Sequence, residues 1–185
     1  MKTFPCLHLS KQGKHLAAVF FFCTCFNNMV SAQRLVDYAV HANIIYHFTK
    51  YIDWPESRKN GDFIIGILGD SPLYDELTKT VQRKSANGRR IIIKHISLSE
   101  DLAGCHIIFI PTEESLAIRK LVSKTARLSV LLVAEDDGMA NRGAAINFVI
   151  VGDRLRLEIN KESIEMHQLN IASELLRLGK LVNHQ

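Results

Sequence analysis

LSVLLVAEDDGMANRGAAINFVIVGDRLRLEIN, residues 128–160, is the stretch that settles the fold. Its residues 130–134 form a continuous apolar, β-branched and Leu-rich run, which suits a strand buried on both faces. A polar loop with Gly138 and Gly143 follows. Two further strand-like segments come next, at 145–151 and 154–159. The second alternates, with Leu155, Leu157 and Ile159 on one face and Arg154, Arg156 and Glu158 on the other. Gly152-Asp153 between them is a two-residue hairpin signal. Asn160 then suits the N-cap of a final helix, and Glu162 suits the positive end of its dipole.

Working outward, the same alternation of strands and helices holds. Residues 34–52 place Leu35, Tyr38, Ala42, Ile45, Phe48 and Ile52 at three- and four-residue steps, the period of an amphipathic helix that Pro55 stops. Residues 63–68 read as a strand. Gly69-Asp70-Ser71-Pro72 follows, with Ser71 as N-cap and Pro72 as the first position of a short helix through Leu73, Leu77 and Val81. Asn87-Gly88 turns the chain into a strand at 91–96. A strand at 107–110 is closed by Pro111, and Thr112 suits the cap of a helix through Leu116 and Leu121 to about Arg127. The last helix is expected over residues 161–183, with Ile164, Gln168, Ile171, Leu175, Leu178 and Val182 along one side. This pattern predicts an α/β protein: a single compact domain, a mostly parallel central sheet with helices on both faces, a closing antiparallel hairpin and a C-terminal helix.

The first 32 residues read as a removable signal peptide. Lys2, Lys11 and Lys14 form a basic start, residues 16–26 (LAAVFFFCTCF) an apolar core too short to span a bilayer, and Val30-Ser31-Ala32 a small-residue cleavage site. Cleavage is expected after Ala32, leaving a domain of residues 33–185. Three of the 23 basic residues and none of the 19 acidic ones lie in that leader, so the mature chain carries 20 against 19, a net charge of +1. Arg83-Lys84 and Arg89-Arg90 are too small a cluster for a nucleic-acid stripe, and no nucleic-acid partner is expected. Cys6, Cys23 and Cys25 leave with the leader. Cys105, which begins the apolar run CHIIFI, remains alone and reads as a small buried hydrophobe.

The chemistry-bearing residues form no catalytic set. There is no HExxH, no CxxC, no GxSxG and no phosphate-binding glycine loop; no catalytic residue, metal site or cofactor is expected. Doubly wound sheets offer a crevice at the carboxyl ends of their strands. Asp70, Ser71 and Glu135 stand at such ends and are the candidates for a ligand crevice. Two features suit partner binding instead: Trp54, the single tryptophan, at a helix exit, and the loop carrying Met139 and Arg142. Trp54 also suits a buried role closing the helix over the sheet, and Met139 a lid over the core.

Six motifs in order resemble one family of exported bacterial proteins: YHFTKYIDWPE (46–56), FIIGILGDSPL (63–73), GCHIIFIP (104–111), LLVAEDDGMANRGAAINFV (131–149), LRLEIN (155–160) and LNIASELLRLGKLV (169–182). The chain resembles the YfiR/HmsC family over nearly all of its mature length. The resemblance implies a periplasmic, non-enzymatic regulator. It would bind and inhibit the periplasmic sensor region of a membrane-anchored diguanylate cyclase, lowering cyclic di-GMP and biofilm formation. The same resemblance implies a homodimer and an outer-membrane lipoprotein able to sequester it. Other members accompany histidine kinases or transport systems, so the alternative is a periplasmic small-ligand binding protein working with one of those. Two departures stand out. This chain keeps only Cys105 where disulfide-using members carry pairs, and LEIN lacks the aromatic common before Glu158.

Overall fold

A computed structural model describes residues 36–182 of the chain; the expected leader and its cleavage site lie outside the described residues. From Asp37 onward the chain is one compact unit. Five α-helices are described: α1 (Tyr38–Tyr51), α2 (Leu73–Val81), α3 (Ile118–Thr125), α4 (Lys161–Met166) and α5 (Ser173–Leu178). The strands are β1 (Ile52–Asp53), β2 (Phe63–Leu68), β3 (Ser85–Ala86), β4 (Arg89–Ile96), β5 (Ile107–Ile110), β6 (Leu131–Ala134), β7 (Ile146–Val151), β8 (Arg154–Asn160), β9 (Asn170–Ile171) and β10 (Gly179–Val182).

Eight strands form one sheet in the order β10-β8-β7-β6-β5-β2-β4-β3, and β1 pairs with β9 apart from it. Neighbours from β4 to β7 are parallel. β7 and β8 are antiparallel, with Val151 opposite Arg154 across the Gly152-Asp153 turn. Gly152 has a φ of +63°, which a glycine adopts without strain. Asn87 and Gly88, both at positive φ, make the other tight turn, between β3 and β4. The α/β class with a mostly parallel sheet and a closing hairpin is therefore as expected.

The sheet is buried on both sides because its central strands alternate between two cores. Phe63, Ile65, Ile107, Phe109, Leu131, Val133 and Phe148 face α1 and α2, which contribute Ile45, Phe48, Leu73 and Leu77. Ile108, Ile110 and Leu132 face the other way, onto Ile118 and Leu121 of α3. Cys105, 4 % exposed, fills this second core as a free thiol, and burial pushes its pKa up.

Helix starts follow local chemistry. Asp37 caps α1 by accepting from the Ala39 and Val40 amides at 3.1 and 3.3 Å, so the helix begins at Tyr38. Ser71 Oγ accepts from the Leu73 amide at 3.3 Å, but the N-cap position of α2 falls one residue later than expected, on Pro72, and the helix begins at Leu73. Thr112 does not cap: its hydroxyl turns to the Glu135 carbonyl at 3.5 Å, a 3₁₀ segment Thr112–Ala117 precedes α3, and Leu116 stands 87 % exposed.

The final helix departs most from expectation. Of the expected helix, the described residues 161–182 form not one helix but α4, β9, α5 and β10. Ile164, Ile171 and Leu178 are spaced by seven, which fits two helical turns, yet the chain turns at Gln168, held at φ +57°. His167 fixes that turn: Nδ1 donates to the Ser163 carbonyl at 2.7 Å, while Nε2 meets Thr125 Oγ1 of α3 at 3.1 Å. Ile171 then pairs with Ile52, and Ala172 donates its amide to the Tyr51 carbonyl at 2.8 Å. Gly179 lets β10 lie against β8, because a Cβ there would stand 2.5 Å from Ile159 Cδ1 and 3.2 Å from the Leu157 carbonyl oxygen. Gly179→Val is expected to cost about 1–3 kcal/mol by overpacking, read as a lowered urea midpoint with β10 amides losing exchange protection.

Candidate functional site

Two clusters of ionisable groups sit at opposite ends of the sheet. The first lies where β2, β5 and β6 end, under the first turn of α1. Glu135, next after β6, projects to the same face as Leu131 and Val133 and is covered by the helix; its side chain is 4 % exposed. Its Oε1 accepts from the Tyr38 hydroxyl at 3.0 Å and from the Thr112 amide at 3.4 Å. Its Oε2 has no hydrogen-bond partner and stands 3.9 Å from His41 Nε2. His41 Nδ1 lies 2.9 Å from the Asp37 carbonyl, which only accepts, so Nδ1 carries the proton and the neutral ring turns a lone pair toward Glu135. Packing against Phe148, with ring centroids 4.4 Å apart, keeps His41 dry.

The electrostatics follow from burial. Desolvation pushes the Glu135 carboxyl up to about 7, against the opposing pull of the Tyr38 and Thr112 hydrogen bonds. Burial, then the charge of Glu135, pushes the Tyr38 hydroxyl up to about 12, while the Ser71 side chain works the other way. Burial lowers His41. At 3.9 Å the imidazole and carboxyl are beyond hydrogen-bond distance, so burial dominates at both. The cluster is a place for a held proton. It offers no nucleophile–base pair, and among the described residues no group of three His, Cys, Asp or Glu is placed to hold a metal.

Of the expected crevice residues, Ser71 and Glu135 come together around Tyr38, while Asp70 is exposed. Tyr38 and His41 went unrecognised as site residues; their i,i+3 spacing behind the Asp37 cap was the available signal.

The second cluster lies at the amino ends of the strands. His106 Nδ1 accepts the Ile64 amide at 3.1 Å, which leaves Nε2–H to donate to the Arg58 carbonyl at 3.0 Å. Arg89 Nη1 donates to the same carbonyl at 2.8 Å. The His106 ring stacks on Phe63 at 4.5 Å, and Trp54 meets Phe63 edge-on at 5.0 Å. Burial first, then the nearby cations Arg58 and Arg89, holds His106 down at about 4. In an NMR pH titration, His106 is expected to stay neutral through pH 5 and to titrate near 4. Its folded-state pKa lies below the ordinary 6.5, so the stability it contributes is complete above 6.5 and is lost as pH falls toward 4. A midpoint near 6.5 would contradict this geometry.

The expected partner-contact residues need correction. Trp54 is 3 % exposed and Met139 fully buried, so both are core side chains and neither presents a surface. Trp54 closes the end of α1 over Phe63. Met139 is drawn inward by its loop, where Gly143 at φ +107° lies so close to Val122 that a Cβ would stand 2.7 Å away. The Asn160 amide and Ser163 hydroxyl tie that loop to β8 and α4 through the carbonyls of Ala140 and Gly143, both at 2.8 Å. Arg142 alone of the three is part exposed.

A family model described as YfiR/HmsC-like matches residues 38–180. The chain belongs to the YfiR/HmsC-like family. That family is a regulatory one, associated with periplasmic control of diguanylate cyclases. The match begins at the first residue of α1 and ends inside β10, so it covers both clusters and all of the sheet except the last two residues of β10. No curated protein matches the chain. Among solved structures, a conserved domain protein from Vibrio cholerae O1 biovar El Tor strain N16961 is similar, with a TM-score of 0.58 at 12 % identity. The similarity covers 80 % of this chain and 60 % of that one, and it shows the fold alone. Among the described residues, no helix is long and apolar enough to cross a membrane.

Proposed function

We propose that this YfiR/HmsC-like chain is an exported, non-catalytic regulator that binds the periplasmic sensor region of a membrane-bound signalling protein, a diguanylate cyclase, and holds it inactive. The family match over residues 38–180 carries this reading. The physical mechanism is differential binding: the protein favours the sensor's inactive state and shifts its population. A clean switch needs a preference of about 10⁴-fold between the two states. The adaptor acts as a homodimer and is released when an outer-membrane lipoprotein sequesters it. Deleting the gene is expected to raise cyclic di-GMP and biofilm mass, and re-expression to restore both. Unchanged cyclic di-GMP on deletion would end this reading. Mass spectrometry of the exported protein is expected to find Gln33 as its first residue.

One observation favours a second reading, a small-ligand binding protein working with a histidine kinase or transporter. The buried Glu135 Oε2 has no hydrogen-bond partner and stands 3.9 Å from His41 Nε2 at the strand ends. A ligand donating to it would raise the melting temperature in a saturable way. A protein adaptor responds only to its partner.

A further inference from the structure

The sheet has two ends, and they are guarded differently. At one end β3 covers the start of β4, and Lys94 and His95 stand exposed along the rest. At the other end β10 pairs with β8 alone, and its outer edge has no neighbour among the described residues. β10 is also apolar: Leu181 is 54 % exposed, and Leu178 just before the strand 68 %. The tip of the β7–β8 hairpin adds Val151 at 62 %.

Register sorts the residues here into two faces. Val149 and Val151 of β7, Arg154 and Arg156 of β8 and Lys180 of β10 share one face, opposite the α1 core. Leu155, Leu157 and Leu181 share the other. The first face is basic. Among the described residues, Arg154, Arg156 and Lys180 have no carboxylate within ion-pair distance, whereas Arg177 is engaged by Glu174. The one acid there, Glu158, accepts a hydrogen bond from Asn147 at 3.3 Å. A hollow of about 470 Å³ opens on this face beside Arg156 and Lys180. An apolar hollow of about 340 Å³ opens on the other, between α1, Leu157 and Leu178. A free strand edge with a basic face and an apolar face matches an added strand, whose side chains also alternate.

We propose that the outer edge of β10 is a docking strand for an extended segment of a protein partner in which acidic and apolar residues alternate. The acidic side chains lie over Arg154, Arg156 and Lys180, and the apolar ones lie against Leu178 and Leu181. This names the surface the regulator uses and rests on the adaptor reading above.

The test uses the full chain and a fluorescent alternating Glu–Val peptide of about eight residues, a common strand length. Saturable binding is expected, with exchange protection gained at residues 179–182. The double variant R156E/K180E, which changes only exposed side chains, is expected to bind roughly tenfold or more weakly and to keep the wild-type melting temperature. Several results would overturn the proposal: no saturable binding, equal binding of an alternating Lys–Val peptide, or protection elsewhere in the chain. Displacement by an oligonucleotide of equal charge would show a general polyanion surface instead. Concentration-dependent protection without peptide would show a second copy as the occupant. Capture of the native sensor separates the two failures. If wild type and R156E/K180E hold it equally, the adaptor reading stands and the β10 surface falls. If wild type holds no sensor, the adaptor reading fails whatever the peptide does.

Discussion

Glu135→Gln is expected to stabilise the protein by up to about 3 kcal/mol at pH 8 and by almost nothing at pH 4.5. The folded protein holds the Glu135 proton up to about pH 7, whereas an unfolded carboxyl releases it near 4.5. Between those values the folded state binds the extra proton. Stability contributed by this group is therefore complete below 4.5, falls as pH rises, and is gone above 7. Glutamine removes the charge and keeps the fit. Its oxygen accepts from Tyr38 and Thr112 as Oε1 does, and its NH₂ replaces the unpartnered Oε2 that faces the His41 lone pair. Urea denaturation at the two pH values reads the difference. Equal pH dependence in wild type and variant would mean that Glu135 is ionised in the folded state at neutral pH.

Glu135 limits stability on the alkaline side and His106 on the acid side. Each group is held in its neutral form by burial. One sits at the carboxyl ends of the strands and the other at their amino ends, so the wild-type stability profile should be a dome with separable limbs. Exported as proposed, the protein would meet external pH directly, and the Glu135 limb acts on the first turn of α1 through Tyr38 and His41. A sensor or ligand that contacts that turn would read the same proton.

The parallel strands were legible because burial on both faces leaves an unbroken apolar run, as in Ile107–Ile110 and Leu131–Ala134. The two tight turns were legible because Asn-Gly and Gly-Asp accept positive φ locally. The break at Gln168 was not. It depends on His167 reaching Thr125, 42 residues earlier, and on Ile171 pairing with Ile52, contacts that no local period encodes. The site divides the same way. Strand-end position marked Ser71 and Glu135. What makes Glu135 unusual is the helix laid over it, and Tyr38 and His41 show in sequence only as positions on a helix face. Trp54 and Met139 read both ways in sequence, as core side chains or as surface anchors, and only the neighbouring core decides for burial.

Arg58→Ala is the second large effect, a loss of about 3 kcal/mol. Arg58 follows Trp54 in the 3₁₀ turn Glu56–Arg58 and spans two backbone carbonyls, Ala103 at 2.6 Å and Cys105 at 2.5 Å. Its own carbonyl takes the proton of His106 Nε2 and one from Arg89. One residue thus joins the exit of α1 to the start of β5 from both its ends. Alanine keeps the backbone half and deletes the guanidinium half, leaving two carbonyls in a crowded corner without charged donors. Each such bond contributes about 1.5–3 kcal/mol, and partial access to water keeps the sum near the lower end. Arg58→Lys should recover less than half, because a single ammonium does not bridge two carbonyls as a planar fork does. The loss should appear as a lowered urea midpoint with faster amide exchange at Cys105 and Ile64, while the hairpin β7–β8 stays protected. Full rescue by lysine would show that charge alone, and not the fork, holds this corner together.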